Sequence, residues 1–173
     1  MQETKPISHL VAGAILGALL VVYSIVLYFL GQMQNQTLGY LSYVILIGGL
    51  IFFIHQYAKS KNNEVTFGNL FSYGFKATAI VILIMLVFVI GFNMAFPEFK
   101  DQIIQTMREK MEEDGKTTDD QIETAVNMFS KNYILFATIG TVIGMAILGA
   151  IGSLIGAAVT KKKPVNPMNQ MSI

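Results

Sequence analysis

Apolar residues along this chain are gathered into four long runs that charged residues scarcely interrupt. At about 1.5 Å of rise per residue, a helix of about 20 residues crosses a hydrocarbon core of about 30 Å. The pattern therefore predicts an all-α, polytopic membrane protein in which four transmembrane helices form a bundle. The predicted spans cover about residues 10–30, 38–58, 73–96 and 133–159.

The first run has a second interpretation, because Lys5 precedes it as the basic residue of a cleaved signal peptide would. Signal peptides have apolar cores of about 7–15 residues and a cleavage site with small residues. The run from Leu10 to Leu30 is longer, and no clear A-x-A-like site follows it. We therefore interpret it as a retained span.

The segment 97–132, between the third and fourth runs, is polar and shows helical periodicity. Gly115 suits the left-handed position after a helix, and Thr118 offers an N-cap with Gln121 as its capping-box partner. The segment is therefore predicted to be a hairpin of two amphipathic helices. Their apolar stripes are Phe99, Ile103, Met107 and Met111 in the first helix and Ile122, Ala125, Val126 and Phe129 in the second.

The distribution of basic residues predicts the orientation. Seven lysines lie close to the span ends on one side, whereas three of the five basic residues in 97–132 lie in mid-loop. Because basic residues near the membrane are enriched on the cytoplasmic side, both termini are predicted to be cytoplasmic and the hairpin extracytoplasmic. The seven are Lys5, Lys59, Lys61, Lys76, Lys161, Lys162 and Lys163.

This order of elements predicts a single four-helix transmembrane domain over residues 1–163. Residues 164–173 contain two prolines and show no hydrophobic periodicity. Such a segment is expected to be a disordered cytoplasmic tail.

Composition narrows the chemistry that the chain can perform. A net charge of +1 is far from the basic charge of a nucleic-acid-binding protein, so no nucleic-acid partner is predicted. There are no cysteines and only two histidines, and no ionisable side chain lies at the centre of a span. We therefore predict that the protein is not an enzyme and has no catalytic, cofactor-binding or metal site.

Small residues at four-residue spacing are the candidate helix-packing positions. Helices in lipid associate through close backbone approach, since lipid tails are as apolar as leucine. Packing within one chain and a seam between two copies would both use such positions. The candidates are Gly13 and Gly17 in the first span and Gly140, Gly144, Gly149, Gly152 and Gly156 in the fourth.

Polar candidates are few. Asn93 is the candidate intramembrane polar contact, and it suits either an interhelical hydrogen bond or a ligand. The segment 97–132 holds nine carboxylates against five basic residues, a net charge of −4 that suits either a solvated loop or a surface for a partner. The candidate partner-facing residues are Glu109, Glu112, Glu113, Asp119 and Asp120.

These features favour a structural, interaction or accessory protein of the membrane. Its predicted partners are the lipid bilayer, a membrane or periplasmic protein, and a second copy of the chain. The alternative is a channel or transporter for a small or lipophilic solute. That alternative predicts that Asn93 meets Tyr23, Ser24 and Thr78 in one cavity.

The order of motifs resembles the DUF4199 family of small bacterial membrane proteins, found chiefly in Bacteroidota. The resemblance covers about residues 8–163. It implies four spans in the cytoplasmic (inner) membrane and no established activity, and it assigns no functional residues. The motifs are the basic end of the second span (57–61), the entry to the third (65–74, Val-Thr-Phe-Gly-Asn-Leu-Phe-Ser-Tyr-Gly), the Phe-Pro-Glu-Phe at 96–99, and the glycine-rich last span ending in lysines.

Overall fold

The computed structural model describes residues 6–164, which form six α-helices and no β-strand. Four of the helices, α1, α2, α3 and α6, are long and apolar enough to cross a membrane. The predicted all-α fold, with four transmembrane helices and two helices between the third and fourth, is confirmed. The helices are α1 His9–Phe29, α2 Gln36–Ser60, α3 Phe67–Ala95, α4 Glu98–Asp114, α5 Asp119–Lys131 and α6 Tyr133–Val159.

The predicted tail falls almost entirely outside the described residues, which end at Pro164. The prediction for residues 165–173 is therefore not addressed by the structure.

Helix α3 begins earlier than the hydrophobic run predicted, at Phe67 rather than about residue 73. The backbone N–H of Thr66 donates to Asn69 Oδ1 at 3.2 Å, and the backbone N–H of Asn69 donates to Thr66 Oγ1 at 3.1 Å. This reciprocal pair satisfies two backbone donors at the helix start. Asparagine stands where a capping box usually has glutamate or glutamine, so the polar residues ahead of the run gave no clear helix signal.

The ends of the two hairpin helices match the prediction. Gly115 follows α4 with φ of 62°, the left-handed conformation that glycine adopts without strain. At the start of α5, Thr118 and Gln121 form a capping box, and the Thr118 N–H donates to Gln121 Oε1 at 3.2 Å. Local backbone chemistry therefore sets the turn between α4 and α5.

The described residues divide into two compact units. The first contains the residues up to Met85 together with those from Ile143, and the second is Leu86–Val142. Helices α3 and α6 run through the division without a break. The single domain predicted over residues 1–163 stays a prediction.

The first unit has an aliphatic core built by α1, α2, the first part of α3 and the last part of α6. The largest side chains in it are almost completely buried, while many aliphatic side chains on the outer faces are exposed, as lipid-facing positions are. Those buried side chains are Leu16, Leu20, Leu46, Leu50, Ile54, Leu70 and Val81.

Aromatic contacts organise the second unit. Phe92 near the end of α3 meets Phe99 of α4 edge to face, with ring centroids 5.3 Å apart. Phe129 of α5 stacks on Phe136 of α6, with centroids 5.6 Å apart. These ring contacts join α4 and α5 to the apolar helices that precede and follow them.

Candidate functional site

Two of the predicted packing glycines lie where α1 contacts α3. A Cβ atom on Gly13 would be 2.5 Å from the Ala77 carbonyl oxygen, and one on Gly17 would be 2.7 Å from Ile84 Cδ1. Real Cβ atoms essentially never come within 3.0 Å of such atoms. The backbones of α1 and α3 therefore approach each other as closely as they do because both positions lack a side chain.

Three more of these glycines lie where the last part of α6 contacts α2 and α3. A Cβ on Gly149 would be 2.0 Å from Thr78 Cγ2, and one on Gly156 would be 2.6 Å from Ile54 Cδ1. The corresponding atom on Gly152 would lie 3.0 Å from a leucine side chain of α2. This part of α6 thus presents a face of glycines to its neighbours in the first unit.

Gly140 and Gly144 differ from the other candidates. A Cβ atom at either position would meet no atom within 4 Å in the described part of the chain. Both lie on a largely exposed stretch of α6, where Ile139 and Ile143 are exposed as well. Packing of these two glycines inside one chain stays a prediction. A contact with a second chain stays a prediction.

Two close-approach glycines were missed by the sequence analysis. A Cβ on Gly49 would lie 2.2 Å from Leu16 Cδ2, and one on Gly74 would lie 2.6 Å from Ser153 Oγ. Neither glycine has a partner at four-residue spacing in its own helix, so the motif search passed over both. Gly49 is a small residue near the middle of the second predicted span and Gly74 one at the start of the third, and neither position by itself indicates a close contact.

Asn93 lines a cavity of about 370 Å³ in the second unit. Its Nδ2 donates to the Val89 carbonyl oxygen at 2.7 Å, a bond within α3, and its buried Oδ1 has no hydrogen-bond partner among residues 6–164. The predicted interhelical hydrogen bond stays a prediction. The lining residues are Asn93, Pro97, Lys100, Ser130, Lys131, Asn132, Tyr133, Ile134 and Leu135.

Two of the residues that the transporter interpretation brought together, Tyr23 and Thr78, donate hydrogen bonds to backbone carbonyls in the first unit. The Tyr23 hydroxyl donates to the Leu38 carbonyl oxygen at 2.8 Å. Thr78 is 1% exposed, and its hydroxyl donates to the Gly74 carbonyl oxygen at 3.0 Å. The first bond joins α1 to α2 and the second lies within α3, and the convergence of Asn93, Tyr23, Ser24 and Thr78 on one cavity stays a prediction.

The five candidate partner-facing carboxylates all lie on the exposed surface of α4 and α5. The two helices contact each other, and the buried side chains among them, Phe99, Ile122 and Val126, belong to the apolar stripes. The stripes therefore supply the buried side chains of the hairpin, and the charged faces are left to the surroundings. Glu109, Glu112, Glu113, Asp119 and Asp120 are the exposed carboxylates in question.

A second cavity, of about 330 Å³, lies in the first unit where α1 begins, α2 ends and α3 begins. The hydroxyl of Tyr73 donates to the Ile7 carbonyl oxygen at 2.9 Å, and the Tyr73 ring stacks on Tyr57 with centroids 4.4 Å apart. The sequence analysis missed this cavity because its residues come from three separate segments. They are Pro6, Ile7, Ser8, His9, Tyr57, Lys61, Asn69, Ser72, Tyr73 and Lys76.

Comparison with known proteins places the chain in a family. The model of the DUF4199 family, described as a protein of unknown function, matches residues 12–162. No curated protein and no solved structure matches the chain. The family match runs from α1 to beyond the end of α6 and includes the hairpin, and it confirms the resemblance drawn from the order of motifs. The chain belongs to the DUF4199 family.

Proposed function

We propose that this protein is an interaction or accessory protein of the cytoplasmic membrane that binds a membrane or periplasmic protein through the α4–α5 hairpin. The observation that carries the proposal is the exposure of the five carboxylates on a hairpin whose apolar stripes supply its own buried side chains. A hairpin built in this way needs no partner in order to fold. Its polar surface is therefore available for recognition.

The aromatic contacts that hold the hairpin to its neighbouring helices support this role. Phe99 and Phe129 hold α4 and α5 against the aromatic rings of α3 and α6 in the second unit. A recognition surface that is already ordered loses less conformational entropy on binding than a mobile loop does. The hairpin is therefore a better binding element than a solvated connection of the same length.

The charge of the hairpin indicates the chemistry of the partner. Residues 97–132 carry a net charge of −4, and the neighbouring carboxylates Glu112 and Glu113 are both exposed. Complementary charge across an interface speeds association and selects among partners. We therefore expect a partner with a basic surface.

The orientation that this proposal needs is directly measurable, because the chain has no cysteines and single cysteines can be introduced cleanly. We expect a membrane-impermeant maleimide to label Glu113→Cys from the outer side of the cytoplasmic membrane in spheroplasts. Lys161→Cys should be labelled only after permeabilisation, since basic span ends are retained in the cytoplasm. The opposite labelling pattern would place the hairpin in the cytoplasm and exclude a periplasmic partner.

Reversing the charge of the hairpin is expected to release the partner. Each exposed charge contact contributes about 0.2–1 kcal/mol, so replacing four carboxylates with lysine should lower partner recovery about tenfold or more. The variant is Glu112→Lys, Glu113→Lys, Asp119→Lys and Asp120→Lys. Recovery is measured by quantitative mass spectrometry after affinity purification in mild detergent.

The matched control removes basic charges from the same hairpin, with Lys110→Gln and Lys116→Gln. These changes make the hairpin more acidic, so partner recovery should be maintained or increased. If the reversed variant retains the same proteins as the wild type, or if the wild type purifies alone, the hairpin is not a binding element.

The cavity at Asn93 favours a second candidate, a channel or transporter for a small or lipophilic solute. The buried Oδ1 of Asn93, which has no partner in the part of the chain that the structure describes, is an acceptor that a hydroxyl or amine of a solute could use. Solute flux into liposomes that contain the purified protein distinguishes this candidate. A rate equal to that of empty liposomes would exclude it for the solute tested.

A further inference from the structure

We propose that the cavity between the ends of α1, α2 and α3 binds the phosphate-bearing headgroup of an anionic phospholipid. The inference concerns the first unit alone and does not depend on the hairpin. The ten residues given above line this cavity, here called the basic cavity.

The lining of the basic cavity is cationic. Lys61 comes from the end of α2 and Lys76 from the first part of α3, and none of the lining residues is acidic. Within residues 6–164, neither lysine forms an ion pair with a carboxylate. Two ammonium groups that have no carboxylate partner among the described residues, one just after α2 and one on α3, suit the several acceptor oxygens of one phosphate group.

Neutral hydrogen-bonding groups surround the two lysines. Ser72 and Asn69, from the first turns of α3, and His9, from the first turn of α1, also line the cavity. Hydroxyl, amide and imidazole groups can donate to phosphate oxygens or bond the hydroxyl groups of a glycerol headgroup. The lining therefore offers both the charge and the hydrogen bonds that a phospholipid headgroup requires.

The wall of the basic cavity is already in place. Tyr73 is 6% exposed, and its hydroxyl holds the Ile7 carbonyl ahead of α1 while its ring stacks on Tyr57. These contacts link the three segments that form the cavity. A volume of about 330 Å³ is also within the usual range of small-molecule sites, about 300–1,000 Å³.

The surroundings favour a lipid over free phosphate. Leu10 follows His9 and is 54% exposed, and Phe75 precedes Lys76 and is 44% exposed. These apolar side chains would contact the acyl chains of a lipid whose headgroup occupies the cavity, whereas inorganic phosphate would leave them unused. Basic pockets between transmembrane helices on the cytoplasmic side are a recurrent form of anionic headgroup site.

The alternative without a specific binding site is that both lysines extend independently to the headgroup layer, as lysines at span ends generally do. It predicts that any lysine at this membrane surface contributes equally to lipid binding. A built site predicts instead that Lys61 and Lys76 matter far more than Lys59, near the end of α2, and Lys161, just after α6, neither of which lines the cavity.

The test uses the full-length protein purified in a non-ionic detergent, with native mass spectrometry to count bound lipid and a thermal melt to measure stabilisation. Phosphatidylglycerol and cardiolipin are titrated beside phosphatidylcholine and inorganic phosphate. We expect the anionic lipids to bind and to raise the melting temperature more than phosphatidylcholine does. Stabilisation by inorganic phosphate equal to that by lipid would overturn the lipid assignment.

Variants separate the built site from general electrostatics. Lys61→Gln with Lys76→Gln should weaken anionic lipid binding about tenfold or more, while Lys59→Gln with Lys161→Gln should change it less than twofold. Lys61→Arg with Lys76→Arg, which keeps both charges, should restore binding. A melting temperature of the first variant without lipid equal to that of the wild type shows that its loss of binding is not misfolding. Equal losses in the two glutamine variants, or equal binding of phosphatidylcholine, would overturn the proposal.

Discussion

Replacing Gly149 with alanine is expected to lower the free energy of unfolding by about 1–3 kcal/mol, the usual cost of overpacking a closely packed site. The new Cβ would lie 2.0 Å from Thr78 Cγ2 and 2.7 Å from Thr78 Cβ. The backbone sets the position of Thr78 Cβ, so no side-chain rotation relieves the second contact and α6 must move away from α3. Thermal unfolding of the purified protein in detergent measures the loss.

Gly144→Ala is the matched control, because it lies on the same helix in open space. Alanine is the better helix former by up to about 1 kcal/mol, so this variant should be neutral or more stable than the wild type. Thr78→Gly added to Gly149→Ala removes the clashing atoms and should restore part of the lost stability. Equal effects of the two alanine substitutions would show that α3 and α6 are not in close contact at Gly149.

Replacing Gly13 with alanine is expected to have a similarly large effect, about 1–3 kcal/mol, on the contact between α1 and α3. The new Cβ would lie 2.5 Å from the Ala77 carbonyl oxygen and 2.6 Å from Ile80 Cβ. Both atoms belong to, or are placed by, the backbone of α3, so neither can rotate away. The measurement is the temperature at which half of the protein is lost from the monodisperse peak in gel filtration.

Gly48→Ala serves as the control for Gly13→Ala. Gly48 also lies within a long apolar helix, and a Cβ there would meet no atom within 4 Å in the described residues. The two substitutions add the same methyl group to a membrane helix, so a difference between them reports on packing. If Gly13→Ala is as stable as Gly48→Ala, α1 does not approach α3 as closely as the structure shows.

The glycines of the fourth span show which part of helix packing can be predicted from the sequence. Gly140 and Gly144 have the same four-residue spacing as Gly152 and Gly156, yet an added Cβ would meet atoms of α2 only at the second pair and no atom within 4 Å in the described residues at the first. The spacing shows that two residues share a helix face, but not which element covers that face. That depends on where α2 and α3 lie around α6, which residues distant in the sequence decide.

The basic cavity could not be predicted from the sequence for the same reason. Lys61 and Lys76 were recognised as lysines at span ends, and nothing in their local sequence indicated that they line one cavity with the segment before α1. A hydrogen bond between Tyr73 and Ile7, far apart in the chain, holds that segment in place. Contacts of this kind leave no periodic signal in a single sequence.

The number of spans, the helical class and the turn of the hairpin follow from the sequence alone. The spans follow because a bilayer needs about 20 apolar residues whose backbone hydrogen bonds are satisfied within the helix, and the turn follows from local chemistry at Gly115 and Thr118. Which glycines lie close to other helices, and which two lysines line one cavity, depends on the tertiary structure. These features arise from the approach of distant segments, which local periodicity does not encode.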